Sequence, residues 1–217
     1  MATFALTAVA AVVGVGLALW VGYHETPVPD PDAGFTTTYG PGWDGLLNQL
    51  AYFTTQSSLL VGVTSLLLAL RLDRTSTAFH VWRLAGLIDI VITGVVFNAV
   101  LAGDDEPIGI AGMSDLLLHK VVPLLAVFGW VLFGPPGSRD RRRVGLALAV
   151  PLAYIALTLV RGAVVDWYPY SFFDVDAHGY GFVLAMVGAI LVLGLLVAGV
   201  LAALDEPLSR WRGARRS

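Results

Sequence analysis

Six long apolar runs, roughly 3–23, 47–70, 82–102, 115–134, 144–165 and 180–204, take up most of this 217-residue chain. At 1.5 Å of helical rise per residue, each is long enough to cross about 30 Å of hydrocarbon. In hydrocarbon every backbone N–H and C=O needs a partner within the protein, and a continuous helix supplies it inside one segment. The expected fold is therefore all-α, a bundle of six transmembrane helices forming a single domain over 1–217, with 205–217 as a basic tail. Composition agrees: 13% of residues are charged, about half the share usual in soluble domains. The first run has no basic segment before it and no small-x-small cleavage pattern after it, so it reads as a span and not a signal peptide.

The charges are sorted along the chain. Arg71, Arg74 and Arg83 fall between runs two and three, and Arg139, Arg141, Arg142 and Arg143 between runs four and five. Arg210, Arg212, Arg215 and Arg216 fall in the tail. The connections 24–46, 103–114 and 166–179 hold no Lys or Arg but several carboxylates, Asp30, Asp32, Asp104, Asp105 and Glu106 among them. The positive-inside rule then places both termini in the cytoplasm and makes this a multi-pass protein of the cell membrane. Trp20, Trp43 and Trp167 at outer ends, with Trp82, Trp130 and Trp211 at inner ends, read as interfacial anchors.

Several chemistries are excluded. The chain has no cysteine, which removes disulfides, thiol nucleophiles and thiolate metal sites. There is no Gly-rich phosphate loop, and the arginine clusters read as topology signals that also touch anionic lipid, not as a nucleic-acid surface. His24, His119 and His178 share the outer side, but no pair has ligand-like spacing, so neither a metal nor another cofactor is expected.

Polar side chains inside a span are costly and are candidates for function. Thr54, Thr55, Gln56, Ser57 and Ser58 lie in the outer half of span two. Asn98 in span three, His119 and Lys120 in span four, and Arg161 in span five each lie about one turn from the outer end. Asp89 alone is markedly deeper and is expected to bond Thr93 or a group on another span. Helical phase puts Thr54 on a face with Ser58, Val61 and Ser65 and points it inward more than Thr55. Tyr154, Thr158 and Arg161 make a polar stripe on span five. Asp115 stands one turn before His119 and can orient its ring, with Ser114 as N-cap. Pro123 and Pro151 are expected to kink spans four and five. Span six, rich in Gly and Ala, reads as a packing helix.

Without cysteine, a nucleophile has to be a hydroxyl, and a hydroxyl needs a base, most often His. Thr54 (or Ser57 or Ser58) of span two with His119 of span four is the combination at matched depth, and Arg161, Asn98 or Lys120 can hold an oxyanion. Ser58 belongs to the same pocket, and Trp167, Tyr168 and Tyr170 read as its outer rim. A pocket of this kind, opening toward the outer leaflet, suits an amphiphilic ester. The competing reading is a membrane protein that binds or moves a lipid or small solute without chemistry.

The stretches YFTTQSSLL (52–60), LLLHKVVPLLAVFGWVLFGP (116–135) and LVRGAVVDWYPYSFFDV (159–175) resemble the bacterial six-span Pr-six-Pr membrane proteins. Those are similar to the animal androgen-induced, ADTRP-like proteins, and the likeness runs over nearly the whole chain. The animal members are intramembrane threonine hydrolases of fatty acid esters of hydroxy fatty acids. By motif, the resemblance implies Thr54 as the nucleophilic threonine and His119 as its histidine.

Overall fold

The computed structural model describes residues 1–25, 40–101, 107–135 and 140–214. Asp30, Asp32, Asp104, Asp105, Glu106, Arg139, Arg215 and Arg216 lie outside them. Among the described residues the chain is helical, without a strand, and six helices are long and apolar enough to cross a membrane. The protein is a multi-pass membrane protein.

The first span is α1, Ala2–His24. The second expected span is broken in two: α2, Trp43–Gln49, ends in a tight turn over 50–52, and α3, Phe53–Leu70, starts afresh. Packing explains the break. A Cβ on Gly45 would collide with the Gly22 carbonyl of α1, so α2 is seated backbone to backbone on α1. Lower down, Gly62 of α3 brings that helix against Ala11 of α1. The chain must redirect between these two contacts, and the freed backbone groups are satisfied from elsewhere. Tyr170 Oη accepts from the Phe53 N–H, and Tyr154 Oη donates to the Ala51 carbonyl, at 2.9 and 3.0 Å. Non-helical backbone at membrane depth persists only where protein supplies such partners.

α4, Thr77–Val96, is the centre of the bundle. Residues 83–90 are buried without interruption, as expected of a helix apolar on every side. It starts earlier than the sequence pattern indicates, with Ser76 as N-cap. Arg83 is therefore not a loop charge. It is buried, donates to Ser65 and Thr64 of α3 at 2.9 and 3.3 Å, and lies over the Phe4 ring. α4 ends in a π-helical turn, Phe97–Leu101.

The fourth span also carries a π turn. α5, Gly109–Asp115, runs through Leu116–Val121 in π geometry into α6, Val122–Phe133. Pro123 follows at once. Proline has no N–H for the carbonyl one turn back and its ring crowds that carbonyl, so the helix widens just ahead of it. Ser114 is thus inside the helix and not its cap, and its Oγ donates to the Gly14 carbonyl of α1 at 3.1 Å.

α7, Arg141–Val165, is capped by Asp140 and stays helical through Pro151. It ends at Asp166 in the left-handed region. The chain then folds inward through 167–170 and a short 3₁₀ turn, Ser171–Phe173. α8, Val175–Ala214, has a non-helical Gly179 near its start and continues past the expected end of span six. Its basic end is structured: Arg212 is buried and donates to the Trp130 carbonyl at 2.7 Å. Trp130 and Trp167 are both buried, so two of the six tryptophans are core residues and not interfacial anchors.

Candidate active site

The break at 50–52 makes Thr54 the second residue of α3, in the first turn of a new helix. The π turn in the fourth span brings His119 to it. Thr54 Oγ1 and His119 Nε2 are 3.2 Å apart, and His119 Nδ1 is 2.8 Å from Asp115 Oδ1. A carboxylate accepts, so Nδ1 carries the ring proton, and Nε2 presents its lone pair to the Thr54 hydroxyl. That is the tautomer a general base requires. Both His119 and Asp115 are largely covered, at 12% and 19% side-chain exposure.

The ring of His119 is held as well as hydrogen-bonded. Phe97, from the π turn that ends α4, stacks on it with centroids 3.5 Å apart and planes 6° from parallel. The two π turns therefore face one another, one carrying the imidazole and the other its clamp. Ser57 supports the turn that carries Thr54. Its Oγ donates to the Thr54 carbonyl at 3.1 Å and lies 2.9 Å from Thr93 Oγ1 of α4. Thr93 is thus engaged by Ser57, and Asp89, expected to be its partner, is buried with Oδ1 unpaired.

Thr54 meets His119 on one side and lines a cavity on the other. The cavity has an empty volume of about 420 Å³, open solvent at its mouth included. Thr54, Thr93, Tyr154 and Tyr170 give it its hydroxyl groups; Phe53, Ile92, Val96, Leu101, Ile155, Phe172, Phe173 and Ile190 make the rest of the wall apolar. A mostly apolar wall with a few polar groups is the lining usual for a small-molecule site.

Within the cavity wall, the Tyr170 hydroxyl lies against Thr54. Its oxygen accepts from the backbone N–H of Phe53 and of Thr54, at 2.9 and 3.4 Å, and also lies against the Thr54 and Tyr154 side chains. Helix α3 has no side-chain cap of its own, because Tyr52 occupies that position; Tyr170 caps it from 117 residues away. Stacked on Phe172 and edge-on to Tyr52 and Phe173, the phenol is deeply buried, and burial pushes its pKa above the usual tyrosine value.

The other expected site residues are placed elsewhere. Asn98 is exposed on the bundle's outside and donates to the Gly94 carbonyl at 2.7 Å. The π turn is the reason, since it directs Phe97 and Leu101 inward and 98–100 outward. Arg161 bonds Asn48 of α2 and stacks over Trp167 at 4.9 Å, so it ties the aromatic segment to α2 and does not line the cavity. Ser58 is fully buried, with its Oγ unpaired, and is likewise not part of the cavity wall. Lys120, half-buried beside His119, also does not line it. Trp167 and Tyr168 are buried packing residues and not an open rim; Tyr168 lies so close on Gly162 that a Cβ there would enter its ring. Thr55 is more buried than Thr54, on the face it shares with Gly62, while Gln56 is exposed and donates to the Leu50 carbonyl.

Phe97, Thr93, Phe172 and Phe173 had no place in the sequence reading of the site, and Ser57, read there as an alternative hydroxyl to Thr54, instead bonds the Thr54 carbonyl and Thr93. Tyr154 did carry a signal, as a member of the polar stripe with Thr158. No protein-family model, no curated protein and no solved structure matches this chain.

Proposed function

We propose that the protein is an intramembrane hydrolase of lipid esters of the fatty-acid type, acting from the cell membrane with both termini in the cytoplasm. Thr54 is the nucleophile, His119 the general base, and Asp115 the group that fixes the imidazole tautomer. The observation that carries this reading is the relay from Thr54 Oγ1 through His119 to Asp115, at 3.2 and 2.8 Å, beside an apolar cavity. A hydroxyl, a base and an orienting group within hydrogen-bond reach are what acyl transfer to oxygen requires. The apolar wall suits a fatty acyl chain, and Thr54 is among the residues that line it. The resemblance of YFTTQSSLL and LVRGAVVDWYPYSFFDV to six-span threonine hydrolases points the same way.

The test is direct. Purified protein in detergent is offered a fluorophosphonate probe and a panel of lipid esters, alongside Thr54→Ala and His119→Ala. Labelling and turnover in the parent chain, lost in both variants, is the expected result. Turnover that survives both substitutions removes this pair from the chemistry. Absence of labelling and turnover in the parent leaves a lipid-binding protein.

A further inference from the structure

The hydrolase reading leaves the substrate's carbonyl oxygen without a donor. Arg161 is held by Asn48 and Trp167, and Asn98 faces outward. The nucleophile's own N–H and that of Phe53, the backbone donors nearest the site, are directed at Tyr170 Oη.

We propose that the Tyr170 hydroxyl is the oxyanion donor of this site, a role that rests on the hydrolase reading. Three observations carry it, with two arguments from chemistry. Tyr170 lines the cavity together with Thr54. Its oxygen takes two backbone N–H groups at the positive end of a helix, so its O–H bond points away from them, toward the side where the Thr54 and Tyr154 oxygens lie. A carbonyl oxygen docked for attack by Thr54 Oγ lies about 3 Å from it, within the same reach. Accepting two N–H bonds at a helix N-terminus offsets part of what burial takes from the phenol's acidity. Finally, its ring is wedged among Tyr52, Phe172 and Phe173, so the donor is aimed before substrate arrives.

The step runs as follows. Thr54 Oγ bonds to the acyl carbon, its proton passes to His119 Nε2, and the carbonyl π pair moves onto oxygen. Tyr170 donates a hydrogen bond to that oxygen and keeps its proton. Collapse restores the C=O, breaks the ester C–O bond, and gives the leaving alkoxide the proton from His119. Water, deprotonated by His119, then attacks acyl-Thr54 through the same sequence and releases the carboxylic acid.

Tyr170→Phe and 3-fluorotyrosine at position 170 are compared with the parent protein on a turned-over ester. Tyr170→Phe is expected to lower kcat by about 10²–10³-fold, with KM changed by less than about 3-fold. Fluorotyrosine keeps the shape and the helix cap but acidifies the phenol. It is expected to change kcat and to bring the alkaline loss of activity to lower pH, which a purely structural tyrosine does not do. If Tyr170→Phe does not fold, the fluorotyrosine profile decides alone. A folded Tyr170→Phe protein with kcat within about 3-fold of the parent, or a fluorotyrosine profile identical to it, overturns the proposal. A parent protein without turnover or labelling sinks the hydrolase reading first, and this role with it.

Discussion

The Phe97 ring lies flat on the His119 imidazole, 3.5 Å between centroids and 6° from parallel. Both residues sit in π turns, so two irregularities in neighbouring helices meet at one ring pair. The stack fixes the one imidazole rotation that the Asp115 hydrogen bond leaves free. Phe97→Leu keeps most of the bulk and removes the flat surface. We expect turnover of a lipid ester to fall by about 10- to 100-fold through misplacement of the base. Thermal unfolding is expected to register a loss of about 1–3 kcal/mol.

Asp115 separates geometry from charge. Asp115→Asn preserves the side chain's shape, but its amide can donate to Nδ1 and so favour the tautomer with the proton on Nε2. That tautomer cannot accept from Thr54. The expected kcat loss is about 10²–10⁴-fold with KM little changed, read from steady-state kinetics. An unchanged kcat argues that Asp115 has no part in orienting the ring.

Gly162 tests how tightly the aromatic segment is seated. An added Cβ there meets the ring of Tyr168, which is buried and enclosed. Gly162→Ala is expected to cost about 1–3 kcal/mol of stability as an overpacked contact. Tyr168 is two residues from Tyr170, so turnover is expected to fall with it. Differential scanning of the purified protein and the lipid-ester assay measure the two effects together.

Arg212 tests whether the basic end of α8 is structural. It is buried, and donates to the Trp130 carbonyl of α6 and to Ser209 Oγ. Arg212→Ala is expected to lower stability by about 1–3 kcal/mol, because the buried carbonyl loses a charged donor. Arg210→Ala, at an exposed pair with Glu206, should change it by less than about 1 kcal/mol. Equal effects in the two variants contradict the structural role.

The six helices were legible because bilayer thickness converts directly into a count of apolar residues. The meeting of Thr54 with His119 was legible as matched depth on two spans. What the sequence did not carry was every departure from a regular helix. The break at 50–52 contains no Gly or Pro; it follows from the close seating of Gly45 on Gly22, a contact between distant parts of the chain. The turn at Phe97–Leu101 reverses the facing expected of Asn98, and nothing in FNAVL announces it. Arg83 reads as a loop cation until its two hydroxyl partners on α3 are known. The inward fold of 167–173 has an interfacial composition but a buried position, because Tyr52 and Tyr154 offer it partners that no local pattern reveals.

The shortness of α3 has a consequence for the membrane itself. Its 18 residues measure about 27 Å along the axis, less than the roughly 30 Å of a typical hydrocarbon layer. A helix of that length falls short of the layer, and a thicker bilayer is expected to hold its Thr54 end further from bulk water. On the hydrolase reading, the second half of the reaction consumes water, so bilayer mismatch is expected to tune its rate. Reconstitution in lipids of increasing acyl length should slow deacylation before it slows acylation.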